Sequence, residues 1–294
     1  MENQGEKEML EQCIYELQML NIGREIAKEW STILSRIGIM HHITQRTKKY
    51  HSVRQKLRKD EYVNGEKKLQ DIIGIRIDVY YVEDINICKE LMKSDSMIGD
   101  WKTIDIKDST FKPLKNNGVF YLPSKYVNMI NPNIWEYGID KTYEIQIRTI
   151  SFDGWHEIEH DLRYKLKKRD EDKCVWDEQF AFEYSRRMNA IVATLELCDN
   201  EMEATLAGFA EKLYENKRWD ELIRVKLRLR FTGEELLDEY KEFLSNNEEV
   251  ALKLYSLTKE KLIHMFLNSK YFEKGTALTV NDVYRIVLEN KDVK

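Results

Sequence analysis

Four groups of residues in this chain have the types and the spacing that chemistry requires. The first is His156-Glu157-Ile158-Glu159-His160, which reads as H-E-x-x-H. On a helix, histidines at i and i+4 share one face and bind zinc, while the glutamate activates a water. The second is the run from Thr44 to Lys59, which holds Arg46, Lys48, Lys49, Arg54, Lys56, Arg58 and Lys59 and no acidic residue. Read as a helix, it gathers Ile43, Thr47, Tyr50, Val53 and Leu57 into a mostly apolar stripe and sets Lys48, Ser52 and Lys56 at i, i+4 and i+8 on the opposite side. Two ammoniums around a hydroxyl suit a polyphosphate, because each lysine brings charge and freely rotating donors and the serine adds a neutral hydrogen bond. A solvated basic face looks the same.

The other two groups lie on strand patterns. In "DIIGIRIDV", Ile73, Ile75, Ile77 and Val79 alternate with Gly74, Arg76 and Asp78. Asp71 stands at the mouth of this strand, where a carboxylate can hold magnesium or simply shape a turn. Arg76 projects to the polar face, where a guanidinium can stack on a base. In "KTYEIQIRT", Tyr143, Ile145 and Ile147 share one face and Glu144, Gln146 and Arg148 the other. Glu144 there has the chemistry of a metal ligand or a general base, and the strand equally fits an amphipathic sheet with one wet face.

The elements that position these groups follow from composition and period. The chain has 294 residues, 42% hydrophobic and 34% charged, with twelve glycines and three prolines. That is enough apolar material for a real core, and the long stretches of period 3.6 make the chain helix-rich. A net charge of −5 argues against a protein that coats nucleic acid. No apolar run approaches the length of a membrane span and the polar start lacks a signal-peptide core, so no membrane and a cytoplasmic location are expected. Cys13, Cys88, Cys174 and Cys198 form no C-x-x-C pair and are expected to be reduced, mostly structural thiols.

Order and spacing join the groups. Arg46-x-Lys48, then Ser52 and Lys56, "DIIGIRI" from Asp71, "EIQIRT" from Glu144 and "EHDLRYK" from Glu159 together resemble the synthetase domain of the RelA/SpoT-type alarmone synthetases over roughly residues 20–200. The resemblance implies an α+β fold, a nucleotidyltransferase-like mixed sheet flanked by helices. It implies transfer of the β,γ-pyrophosphate of ATP to the 3′-hydroxyl of a nucleotide, with GDP or GTP as the default acceptor. By that likeness Arg46 and Arg76 sandwich the adenine, and Lys48, Ser52, Lys56 and Lys107 serve the rest of the ATP. Asp71 and Glu144 are then the catalytic pair and hold Mg2+, with Glu144 also the base. Lys115, Asn117, Tyr121, Gln146 and Glu159 fall to the acceptor. Two carboxylates facing one site repel unless a cation neutralises them, which supports the same ion.

The likeness also bears on the opening motif. The family's helix after E-I-Q-I-R-T carries a W-x-x-x-E-H-x-L-R-Y-K pattern, here Trp155, Glu159, His160, Leu162, Arg163, Tyr164 and Lys165, so His156 completes H-E-x-x-H by coincidence. A metzincin's third histidine would fall at Leu166. One loop departs from the family: where a tyrosine follows the glycine and stacks on the acceptor guanine, this chain has Val119 after Asn117-Gly118, with Phe120 and Tyr121 as candidate replacements. An adenine nucleotide or a tRNA 3′ end are therefore alternative acceptors, and an inactive nucleotide-binding module is the non-enzymatic alternative.

Residues 1–205 are expected to form the synthetase domain with its N-terminal helices, and residues 206–294 an all-α accessory domain, with self-association as a candidate role. With about forty residues before Arg46 and no histidine-aspartate motif at His41-His42, no hydrolase domain is expected. Residues 172–204 read as one or two helices, and the stretch after Gly208 as four or five short ones, with Thr232 and Thr279 as N-caps.

Overall fold

The computed structural model describes residues 2–102, 116–130, 138–154, 157, 178–233 and 235–289. It divides into two compact units, the first made of Met1–Ser31 and His42–Val192 and the second of Thr32–His41 and Ala193–Lys294. Among the described residues no helix is long and apolar enough to cross a membrane.

The first unit is built on a four-stranded mixed sheet of β1 (His41–Thr47), β2 (Ile73–Val79), β3 (Asn116–Tyr121) and β4 (Thr142–Thr149), in the order β1-β2-β4-β3. The alternation read in the two isoleucine-rich segments is realised as its centre. β2 runs parallel to β4, with Gly74 opposite Glu144, Arg76 opposite Gln146 and Asp78 opposite Arg148. β3 pairs antiparallel to β4, with Asn117 opposite Gln146 and Val119 opposite Glu144. Because side chains alternate along a strand, all these polar groups share one face. The other face carries Ile73, Ile75, Ile77, Ile145 and Ile147, each no more than 1% exposed. Helix α1 (Glu2–Arg36) comes close to that face at Gly23, where a Cβ would stand 3.0 Å from Gln45 and 3.5 Å from Ile73. The crossover from β2 contains α4 (Val82–Met92), which packs on β2 and β4 with Ile87, Cys88 and Met92 buried.

The basic run differs from the single helix expected of it. His41–Thr47 is strand, and α2 (Tyr50–Leu57) starts only after Lys49 at φ −60° and ψ 141°. The alternating burial of His41–Thr47 follows its β-branched Ile43, Thr44 and Thr47, which favour a strand. Lys48 therefore does not share a helical face with Ser52 and Lys56. Short α3 (Asp60–Val63) and α5 (Ser124–Val127) complete the elements named before β4.

α6 (Glu178–Glu215), which belongs to the second unit from Ala193 onward, runs on as one helix through Gly208, the point at which the sequence changes character. Six segments follow: α7 (Trp219–Leu227), α8 (Asp238–Asn246), α9 (Glu248–Ser256), α10 (Lys259–Leu267), α11 (Lys270–Glu273) and α12 (Val280–Glu289). Thr279 does cap α12, its Oγ1 accepting from Asp282 N–H at 3.1 Å while Asp282 accepts from Thr279 N–H at 3.0 Å. Thr232 does not cap a helix; it bridges to Thr279, and its N–H donates to Leu278 O. Of the described cysteines only Cys88 is buried, while Cys13 and Cys198 are exposed, so the structural role expected of the thiols holds for one.

Phe120 is placed in the core, which removes it as a replacement stacking ring. It is 1% exposed, stacks on Tyr143 with centroids 5.5 Å apart and meets the edge of Trp101 at 5.8 Å. Its truncation leaves a cavity between two aromatic rings. Phe120→Ala is expected to destabilise the first unit by about 3–5 kcal/mol in denaturant unfolding, and a loss under about 1 kcal/mol would place the ring elsewhere.

Candidate active site

The polar face of the sheet floors a cleft of about 430 Å3. β1 contributes Thr44 and Arg46, with Lys48 just beyond its end. Asp71 comes from the mouth of β2, and Gly74 and Arg76 from β2 itself. Asn117 reaches in from β3, and Glu144, Gln146 and Arg148 from β4, with Glu157 at the rim. Of the residues expected at the site, Arg46, Lys48, Asp71, Arg76, Asn117, Glu144 and Gln146 come together here.

Asp71 is positioned by backbone pairing on both sides. Lys48 N–H donates to Ile72 O at 2.8 Å, Leu69 bridges to Ile139, and Thr142 Oγ1 donates to Gln70 O at 3.0 Å. The end of β1 is thus pinned to the loop that carries Asp71. Lys48 Nζ lies 2.6 Å from Asp71 Oδ2, and Lys56 Nζ reaches the same carboxylate at 3.5 Å from α2. Burial pushes the Asp71 carboxyl up, but the hydrogen bond and charge of Lys48 with the charge of Lys56 outweigh it and hold the group below its ordinary value. Burial lowers Lys48, and Asp71 only partly restores it; for Lys56, less buried, burial is still the largest single influence, but the charge of Asp71 together with Tyr62 and side-chain hydrogen bonding outweighs it and leaves the group raised. Lys48 and Lys56 therefore converge as the sequence suggested, although from a strand end and a helix. Ser52 is exposed on α2 and does not line the cleft.

Glu144 has a different setting. Asn117 Nδ2 donates to its Oε1 at 2.8 Å and Gln146 Nε2 to its Oε2 at 3.1 Å, so two neutral amides orient the carboxylate and leave its charge in place. Asn117 Oδ1 beside it is buried and has no hydrogen-bond partner among the described residues. Tyr121 sits on the same face of β3, 55% exposed and outside the cleft lining. Val119 is 7% exposed opposite Glu144, an apolar position on this polar face. Lys107, Lys115 and Glu159 lie outside the described residues, as do His156, His160 and Tyr164. Glu157 is described, and its Oε1 accepts from Arg76 Nη1 at 2.6 Å.

Sequence reading assigned no role to Arg148, Asp153 or Asp78. The alternation that exposed Glu144 and Gln146 also carries Arg148 and Asp78 to this face, and that was the available signal. Asp153 gave none, since only the turn after β4 brings it back over the sheet.

The chain can now be set beside known proteins. Residues 45–169 match the model of a region found in RelA / SpoT proteins. The chain is 31% identical over 159 residues to GTP pyrophosphokinase YwaC of Bacillus subtilis strain 168, a match spanning 52% of this chain and 71% of that protein. The chain belongs to the RelA/SpoT family. It is also 28% identical over 172 residues to GTP pyrophosphokinase YjbM of the same organism, across 58% of this chain and 77% of that one. The crystal structure of small alarmone synthetase 1 from Bacillus subtilis bound to its product pppGpp matches at 22% identity over 65% of this chain and 94% of that chain, with a TM-score of 0.46. A RelA/SpoT chain is an enzyme, and the cleft that gathers its motif residues is the candidate active site. The family match runs through the residues of H-E-x-x-H.

Asp78 lies on the same sheet face, 3% exposed, with Oδ1 lacking a partner among the described residues and Oδ2 3.9 Å from His42 Nδ1. Burial, with help from the negative Asp153, pushes its carboxyl up to about 6, against the opposing pull of Arg76, Arg148 and His42. A folded value above the unfolded one means that the protonated group's contribution to stability is complete below about pH 4 and is lost as pH rises through about 6. Asp78→Asn, permanently neutral, is expected to match the wild type at pH 4 and exceed it at pH 8 by on the order of 2–3 kcal/mol in denaturant unfolding. A variant less stable than wild type at pH 8 would show instead that the ionised carboxylate is held by its arginines.

Proposed function

We propose that this chain is an ATP-dependent pyrophosphokinase that transfers the β,γ-pyrophosphate of ATP to the 3′-hydroxyl of a guanine nucleotide. The observation that carries the reading is the meeting, in one cleft, of a lysine-clamped carboxylate at Asp71 and an amide-oriented carboxylate at Glu144. Lys48 and Lys56 supply charge for the phosphates, and Arg46 and Arg76 border the space for the donor base. Attack by the acceptor oxygen on the β-phosphorus forms one P–O bond and breaks the α,β-bridging one, releasing AMP. Glu144 takes the hydroxyl proton.

The donor set fits magnesium. Asp71 and Glu144 are hard oxygen ligands, and such an ion is held by one or two carboxylates together with substrate phosphates and waters. Asn117 Oδ1, unpartnered among the described residues, would offer an acceptor to a water of that shell. Bound there, the ion would neutralise charge on the phosphates. Glu144→Gln keeps the shape and removes the charge, so turnover is expected to fall by about a hundredfold or more, with ATP-analogue binding less affected. Transfer that survives the substitution would remove Glu144 from the chemistry.

The guanine nucleotide is favoured because the two named relatives are GTP pyrophosphokinases. A second reading, an adenine nucleotide or a tRNA 3′ end as acceptor, is favoured by Val119, which offers no aromatic face at the family's stacking position. Base stacking is worth about 1–3 kcal/mol, and Tyr121 is the exposed ring on that side of β3. Incubation with γ-labelled ATP, magnesium and, separately, GDP, GTP, ADP, ATP and tRNA decides among the acceptors by where the label appears. With the labelled acceptor, Tyr121→Ala is expected to raise the acceptor KM by about tenfold and leave the ATP KM alone. Equal effects on both substrates would take Tyr121 out of base recognition.

A further inference from the structure

Asp153 lies on the helical turn 150–154 that follows β4, and it faces back over the sheet. Phe152 seats that turn: it is 8% exposed, and its N–H donates to Thr149 Oγ1 at 3.3 Å. One oxygen of Asp153, Oδ1, stands 2.9 Å from Arg76 Nη1 and 3.1 Å from Arg148 Nη1. Arg148 is 4% exposed, and its Nη2 donates to Gln146 Oε1 at 3.2 Å. Gln146 in turn donates to Glu144 Oε2. The polar contacts are continuous from the arginine beside the donor base to the carboxylate that takes the proton.

We infer that Asp153 is a positioning residue that ties Arg76 to Glu144 through Arg148 and Gln146, so that the donor-base contact and the orientation of Glu144 are set together. Two guanidiniums this close repel each other, and a single carboxylate oxygen between them holds both at fixed positions. Gln146 can present its amide N–H to Glu144 because its carbonyl is occupied by Arg148, which fixes which way the amide points. Loss of the Asp153 charge frees Arg148 to move, and the orientation of Gln146 and then of Glu144 loosens. Glu157 also binds Arg76, from a position 57% exposed.

The inference rests on the pyrophosphokinase reading, and two measurements on the full chain keep the two apart. Calorimetric binding of a non-hydrolysable ATP analogue to the wild type, Asp153→Asn, Arg76→Ala and the double variant reads the donor half. Transfer of label from γ-labelled ATP, in the wild type, Asp153→Asn, Glu144→Gln and their double variant, reads the catalytic half. Asp153→Asn is expected to weaken analogue binding about three- to tenfold alone and hardly at all once Arg76 is alanine. It is expected to lower kcat at saturating ATP by about tenfold, and to add little to Glu144→Gln. Should Asp153→Asn not fold, Asp153→Ser is read in the same assays. A lowered melting temperature with binding and kcat unchanged overturns the inference, as do losses that multiply independently in both backgrounds. A wild type that transfers label to no acceptor sinks the pyrophosphokinase reading, and the binding cycle then still decides whether Asp153 acts through Arg76.

Discussion

The parallel register of β2 on β4 is the constraint from which the site follows. With Gly74 opposite Glu144 and Arg76 opposite Gln146, every second residue of both strands faces the cleft and every other one enters the isoleucine core. The period of two makes the arrangement all or nothing: a slip of one residue would turn Arg76 and Asp78 into the apolar layer and Ile75 and Ile77 into the cleft. The penalty for burying those charges, added to that for exposing isoleucines, locks the register far more firmly than backbone hydrogen bonds alone. The geometry of the candidate site is thus held by the same burial that holds the fold, and the antiparallel addition of β3 extends it by carrying Asn117 to Glu144.

On that face the charges are arranged in two different ways. Asp71 is met by ammoniums, which keep it ionised and occupy it. Glu144 is met by amides, which orient it without cancelling its charge. The contrast follows from neighbours: Asp71 has a strand end and a helix nearby, each carrying a lysine, whereas the partners of Glu144 among the described residues are Asn117 and Gln146 on adjacent strand positions. Two carboxylates of the same type are thereby prepared for different work.

Much of this was legible in the sequence because period-2 alternation reports both faces of a strand. Glu144, Gln146 and Arg76 were found that way, Asp71 from its place at the mouth of β2, and Lys48 and Lys56 from a local absence of acid. The helical row containing Ser52 was misread because Lys48, Ser52 and Lys56 fit a period of four, while Ile43, Thr44 and Thr47 favour an extended backbone up to Lys49. Phe120 was open to reading as a ligand ring because its burial depends on Trp101 and Tyr143, which are distant in sequence. Asp153 lay beyond reach for the same reason: a contact made by a turn folding back over a sheet has no local pattern.

The clamp on Asp71 has a thermodynamic consequence. Lys48 and Lys56 cannot give their full charge to a phosphate while they neutralise a carboxylate 2.6 Å and 3.5 Å away. Any cation that takes over Asp71 releases them, and any polyphosphate that draws them off leaves Asp71 in need of a cation. Each ligand therefore raises the other's affinity by the same factor, since a coupling free energy is a property of the pair. Under the proposed function the ion pair would act as a latch with two keys, a metal and a nucleotide together holding the site better than either alone.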